Sequence, residues 1–101
     1  MVNLYQYFEK IKWDKYVTYL SERELNKNIK FYSKLSELDV FPDDINKVLA
    51  SLFEYNFSSD EEKFNLWMRT TLKMLDGLTP IESIKSENSV NSLREFLMRG
   101  N

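Results

Sequence analysis

The amino-acid sequence predicts an all-α fold, a compact bundle of five or six helices in a single domain. Three observations carry that expectation. Only two glycines and two prolines occur in 101 residues, so sharp turns are few and long elements with short connections should follow. Hydrophobic residues make up 43% of the chain and aromatic ones 15%, enough for a core, yet two independent cores would each be too small to offset chain entropy. Apolar residues recur at i, i+3, i+4 and i+7, the spacing of one helix face and not the alternation of a strand.

The elements follow in order. The first twenty residues are rich in rings (Tyr5, Tyr7, Phe8, Trp13, Tyr16, Tyr19) and are expected to be helical. They hold more large rings than one amphipathic face can hide, which makes this stretch a candidate interface, for instance in a homodimer. Ser21 and Glu24 then have the spacing of a capping box, in which hydroxyl and carboxylate each satisfy an orphan backbone N–H. They lead into a helix carrying Leu25, Ile29, Tyr32, Leu35 and Leu38. Pro42-Asp43-Asp44 opens a helix with Ile45, Val48, Leu49, Leu52 and Phe53 on one face.

The most regular pattern runs from about Ser59 to Leu75, with Phe64, Trp67, Met68, Thr71, Leu72 and Leu75 on one side. Ser59 and Glu62 form its expected capping box, and Gly77 its left-handed stop. Trp67 is expected to anchor the core beside the Gly77–Pro80 turn. Thr79-Pro80-Ile81-Glu82 opens a short helix through about Lys85 that buries Ile81 and Ile84. A last helix, roughly Ser89 to Arg99, presents Val90, Leu93, Phe96 and Leu97.

Composition closes several functional routes. The chain has no cysteine and no histidine, so thiolate–imidazole zinc sites, Ser-His-Asp triads and Cys-His nucleophiles are all excluded. Catalysis would have to rest on carboxylates, Lys, Tyr or Ser. The acidic clusters Asp43-Asp44 and Asp60-Glu61-Glu62 sit at predicted helix N-termini, where dipole and capping account for them. No enzymatic activity, metal or cofactor is expected. The lack of cysteine suits a reducing cytosol, no apolar run approaches the ~20 residues of a membrane helix, and the N-terminus lacks a signal-peptide layout; a cytoplasmic location follows.

The net charge is −2, with no basic stripe of the kind nucleic acids demand. Residues Lys34 to Leu49 do have helix-turn-helix spacing, with Leu35, Leu38, Val40, Ile45 and Leu49 at core positions. The usual turn glycine is Asp39, and a recognition helix opening with Asp43-Asp44 would meet phosphates with like charge. DNA binding is therefore not expected, and a small transcriptional regulator is the weakest functional reading.

The stretch Trp67-Met68-Arg69-Thr70-Thr71-Leu72-Lys73-Met74-Leu75-Asp76-Gly77-Leu78-Thr79-Pro80-Ile81-Glu82-Ser83-Ile84 resembles the toxin-binding domain of the Xre/MbcA/ParS-type antitoxins. That family reads approximately Trp-Leu-x-x-Pro-Asn-x-x-Leu-Gly-Gly-x-Thr-Pro-(Leu/Ile)-Glu-x-(Leu/Ile). The match needs no gap and falls on Trp67, Leu75, Gly77, Thr79, Pro80, Ile81, Glu82 and Ile84. The resemblance extends over roughly residues 57–99, setting a toxin-binding helical region at 57–101 beside an N-terminal helical region at 1–56 with no family match. Where the family has Pro-Asn, this chain has Thr71-Leu72, which should let the tryptophan helix run a turn further. Asp76 replaces the first glycine of the pair.

The resemblance implies a protein partner: a cognate toxin, typically a RES-type enzyme that consumes NAD, clamped by the helical domain and obstructed by its C-terminal segment. Carried over by position, the last helix and tail (Leu93, Arg94, Leu97, Met98 and Arg99) would face that partner, with Arg94 and Arg99 as guanidinium contacts to carboxylates. Trp67, Leu75, Gly77, Thr79, Pro80, Glu82 and Ile84 would be the structural platform. The alternative is a stand-alone inhibitor of phage or mobile-element type that turns the same helical domain on another protein.

Overall fold

Helix is the only regular structure among the described residues. A computed structural model describes residues 3–99, and among these there are six α-helices: α1 (Lys10–Arg23), α2 (Ile29–Leu38), α3 (Asp43–Ser51), α4 (Phe53–Phe57), α5 (Glu61–Met68) and α6 (Glu87–Met98). Short 3-10 turns occur at Leu4–Tyr7, Leu25–Asn28, Lys73–Leu75 and Glu82–Lys85. The expected all-α class and helix number hold. No helix among the described residues is long and apolar enough to cross a membrane.

The described chain divides into two compact units, residues 3–13 with 65–99, and Asp14–Phe64. The sequence placed its boundary at 56/57. In the structure the N-terminal residues instead join the C-terminal part.

Asp14–Phe64 is organised by phenylalanines. Phe31 stacks on Phe53 with ring centroids 3.7 Å apart, and Phe64 meets Phe31 and Phe57 edge-on at 5.0 and 5.2 Å. The edge-on contacts set ring edges against ring faces and add to simple area burial. Leu35, Phe41, Ile45, Val48 and Leu49 complete this core. Between α2 and α3 the chain reverses at Asp39, which takes φ 53° while its N–H bonds to the Leu35 carbonyl at 3.2 Å. Aspartate tolerates this left-handed cap better than most residues because its short side chain can hydrogen-bond locally. Pro42 then precedes the first turn of α3, where Asp43 accepts the Tyr32 hydroxyl at 2.5 Å and pairs with Lys47 at 3.5 Å.

Two expected caps are corrected here. The Ser21–Glu24 box does not form, because α1 runs through Ser21 and its hydroxyl is buried without a partner among the described residues. At α5 the cap is Asp60: its Oδ1 accepts from the N–H groups of Glu62 at 2.9 Å and Lys63 at 3.4 Å. Ser59 cannot serve, since it takes φ 56° and an N-cap needs extended backbone.

The other unit is organised around α6. Val90, Leu93 and Leu97 form its buried face, and Leu4, Trp13, Met68, Leu75 and Pro80 are the other large buried residues of the unit. The Tyr5 N–H donates to the Ser92 hydroxyl at 3.0 Å, tying the N-terminal 3-10 turn to α6. Trp13 is 2% exposed, with Phe8 tilted against it at 6.5 Å. The aromatic N-terminus is thus divided: Leu4 and Trp13 are core, while Tyr7, Ile11 and Tyr19 are exposed.

Candidate functional site

The segment from Trp67 to Ile84 is a looped platform and not the continuous helix its periodicity predicts. α5 stops at Met68. The Arg69 and Thr70 N–H groups fold back onto the Leu66 and Trp67 carbonyls at 3.1 Å each, and the Thr70 hydroxyl caps Leu66 O at 2.6 Å. Leu72 then turns extended (φ −120°, ψ 131°) and bridges Leu78, its N–H bonding the Leu78 carbonyl at 3.1 Å. This arrangement buries Leu75 and leaves Trp67 only half-buried. The helix ends although no proline breaks it. The Met68 carbonyl, which a continued helix would have paired with the Leu72 N–H, accepts from the Ile81 N–H at 3.3 Å instead.

At the tip of the loop Asp76 and Gly77 take φ 56° and 80°. A Cβ on Gly77 would meet nothing within 4 Å, so the demand on this position is conformational and not steric. Gly77→Ala is expected to cost about 1–2 kcal/mol for forcing an L-residue into the left-handed region, and Gly77→Val more, because β-branching tightens the restriction. Urea unfolding measures both; two silent substitutions would show that the positive φ is not enforced.

Thr79 and Glu82 form a reciprocal capping box: Glu82 Oε1 accepts the Thr79 N–H at 2.9 Å, and Thr79 Oγ1 accepts the Glu82 N–H at 3.1 Å. The Thr79 N–H, with its hydroxyl assisting, holds the Glu82 carboxyl below its ordinary value. A lowered folded-state pKa means stability that is present above the ordinary carboxylate range and is lost as pH falls through the depressed value. Glu82→Gln keeps an acceptor but does not titrate. Its melting temperature should lie furthest below wild type near neutrality, and the two should converge in acid. A gap independent of pH would show that the ionised carboxylate adds nothing.

Behind the box, Ser83 is fully buried and donates to the Pro80 carbonyl at 2.6 Å, and Ile81 N–H reaches the Met68 carbonyl at 3.3 Å. The expected burial of Ile84 is corrected: it is 37% exposed, while Ile81 is half-buried. Pro80 and Ser83, three positions apart, are the residues turned inward here. Ser86 caps α6, accepting the Ser89 N–H at 3.2 Å.

The residues expected to face a partner fall into three groups. Leu93 and Leu97, 0% and 3% exposed, belong to the core and are no contact residues. Arg99 is exposed, yet it bonds Glu95 at 2.9 Å and lies over the Tyr7 ring at 5.3 Å. Arg94 and Met98 are half-buried with Asn91, whose side-chain oxygen accepts from Arg94 at 2.8 Å. Positions 91, 94 and 98 share one side of α6 by helical spacing. Sequence reasoning missed the exposed apolar residues of the same unit that belong to the family-like segment: Leu66 at 71%, Met74 at 41% and Ile84 at 37%. Leu66 was detectable, since it falls off the Phe64–Met68 face. Met74 was not, because its placement depends on the loop.

The acidic clusters do structural work. Asp60 caps α5, Glu61 pairs with Lys34 at 2.8 Å and Asp43 is engaged by Tyr32. No group of three or more potential ligand side chains that could hold a metal occurs among the described residues. In α3, Ile45, Asn46, Val48, Leu49, Ala50 and Ser51 are all buried, so it offers no free face of the kind a recognition helix turns to base edges. Comparison with known protein families, with curated proteins and with solved structures finds no match.

Proposed function

We propose that the chain is a protein-binding module of antitoxin type, which binds and inhibits a partner enzyme in the cytoplasm. The observation that carries this reading is that the segment resembling a toxin-binding domain also exposes three large apolar side chains, Leu66, Met74 and Ile84. Apolar groups left in water, one on α5 and two on the capped loop that follows it, are suited to become desolvated anchors in an interface. Arg94 on α6 supplies a guanidinium for a partner carboxylate. The absence of histidine and cysteine fits a binding role better than a catalytic one.

The test is co-purification from the native host, followed by calorimetry with the identified partner. Leu66→Asp, Ile84→Asp and Arg94→Glu should each weaken binding by about tenfold or more, as for interface anchors, with the fold retained by circular dichroism. If the partner consumes NAD, one equivalent of this chain should suppress that activity. Affinity unchanged in all three variants would sink the proposal.

A further inference from the structure

A groove in the unit Asp14–Phe64 has no part in the reading above. It measures about 400 Å³ and is lined by residues 27–31, Lys34, Phe53, Ser59 and Glu61, a size that accommodates one or two large side chains. Its floor is apolar, made by the stacked Phe31 and Phe53 together with Ile29, which is 48% exposed. Its rim is basic. Lys27, Lys30 and Lys34 line it at i, i+3 and i+7, a spacing that sets them along one side of the helical run. Glu61 is the single carboxylate among the lining residues, and Glu24 and Glu54 face Lys27 from just outside them, so the uncompensated positive charge of the groove is centred on Lys30.

Lys34 is paired with Glu61 at 2.8 Å and Lys27 with Glu24 at 3.2 Å, and both lysines are more than half exposed. Exposed pairs of this kind are weak and exchange readily for a partner's carboxylate. Lys30 forms no ion pair with any described residue. In the groove wall the Asn28 side-chain N–H₂ is buried and has no hydrogen-bond acceptor among the described residues, so a small rotation of that amide would present a donor to an incoming carbonyl or carboxylate.

We propose that this groove docks an acidic peptide segment of a partner protein, with one aromatic or branched side chain over Phe31 and Phe53 and flanking carboxylates on Lys30, Lys27 and Lys34. The proposal uses none of the residues assigned to partner inhibition, so either can fail alone.

The test is an NMR titration of the full chain with the capped hexapeptide Glu-Glu-Phe-Leu-Glu-Glu, with Lys-Lys-Phe-Leu-Lys-Lys and glutarate as controls. The acidic peptide should shift the amides of residues 27–34 and 59–61, and its affinity should fall as salt is raised. Lys30→Glu should weaken binding by roughly tenfold, as charge reversal at a contact does, and Ile29→Ser should weaken it independently. Lys85→Glu, which reverses an exposed charge outside the groove, should leave affinity unchanged. No shifts at millimolar peptide, equal binding of the basic peptide or of glutarate, or indifference to both Lys30→Glu and Ile29→Ser would each overturn the proposal. Shifts confined to α6 would overturn it too, while favouring the inhibitory surface.

Discussion

Trp13→Ala should lower stability by about 3–5 kcal/mol, the cost of deleting a fully buried aromatic, whereas Trp67→Ala should cost clearly less. The two tryptophans look alike in the sequence, and Trp67 lies in the stronger helical pattern. Trp13 is nonetheless 2% exposed with Phe8 tilted against it, while Trp67 sits half-buried in the last turn of α5. On the scale of roughly 4–8 °C per kcal/mol for a domain of this size, the Trp13 variant should melt at least ~12 °C below wild type. Circular dichroism melts decide it. A larger loss for Trp67→Ala would reverse the assignment of the core anchor.

Deleting residues 94–101 should unfold the unit that contains α6. The deletion removes Leu97 and Glu95, both buried, together with the last turns of the helix. A buried leucine alone is worth about 2–5 kcal/mol, and the stub 87–93 is too short to hold helical structure without the packing it has lost. The melting transition should disappear or broaden, so loss of binding on truncation would say nothing about contacts, and Arg94→Glu in the intact chain is the informative variant. A truncated protein that melts within a few degrees of wild type would return the tail to the surface.

Much of the architecture was legible from local chemistry. The all-α class follows from periodicity and from the scarcity of glycine and proline. The Thr79–Glu82 capping box and the left-handed Gly77 could be read directly, because both depend on backbone groups within a few residues. The α2–α3 corner was legible for the same reason, with Asp39 doing what glycine usually does there. The groove beside Lys30 was not, since its floor joins Phe31 to Phe53 across a long stretch of chain.

What the sequence determined by itself is therefore the helical class, the apolar faces of α3 and α6, and the capped turn at Thr79, all set by interactions between near neighbours; on α2 the expected face is corrected, since Ile29 and Leu38 are 48% and 58% exposed and Phe31 is buried with Leu35 instead. Only the tertiary structure decided where α5 ends, which tryptophan is buried, and which residues of the family-like segment face solvent. Periodicity alone favours helix from Ser59 to Leu75, and propensity offers no objection. The chain departs from it because the Leu72–Leu78 bridge and the burial of Leu75 together outweigh the few tenths of a kcal/mol per residue that helix propensity supplies. The burial of Leu75 exists only once its turn has packed against α6, far along the chain, so no local pattern records it.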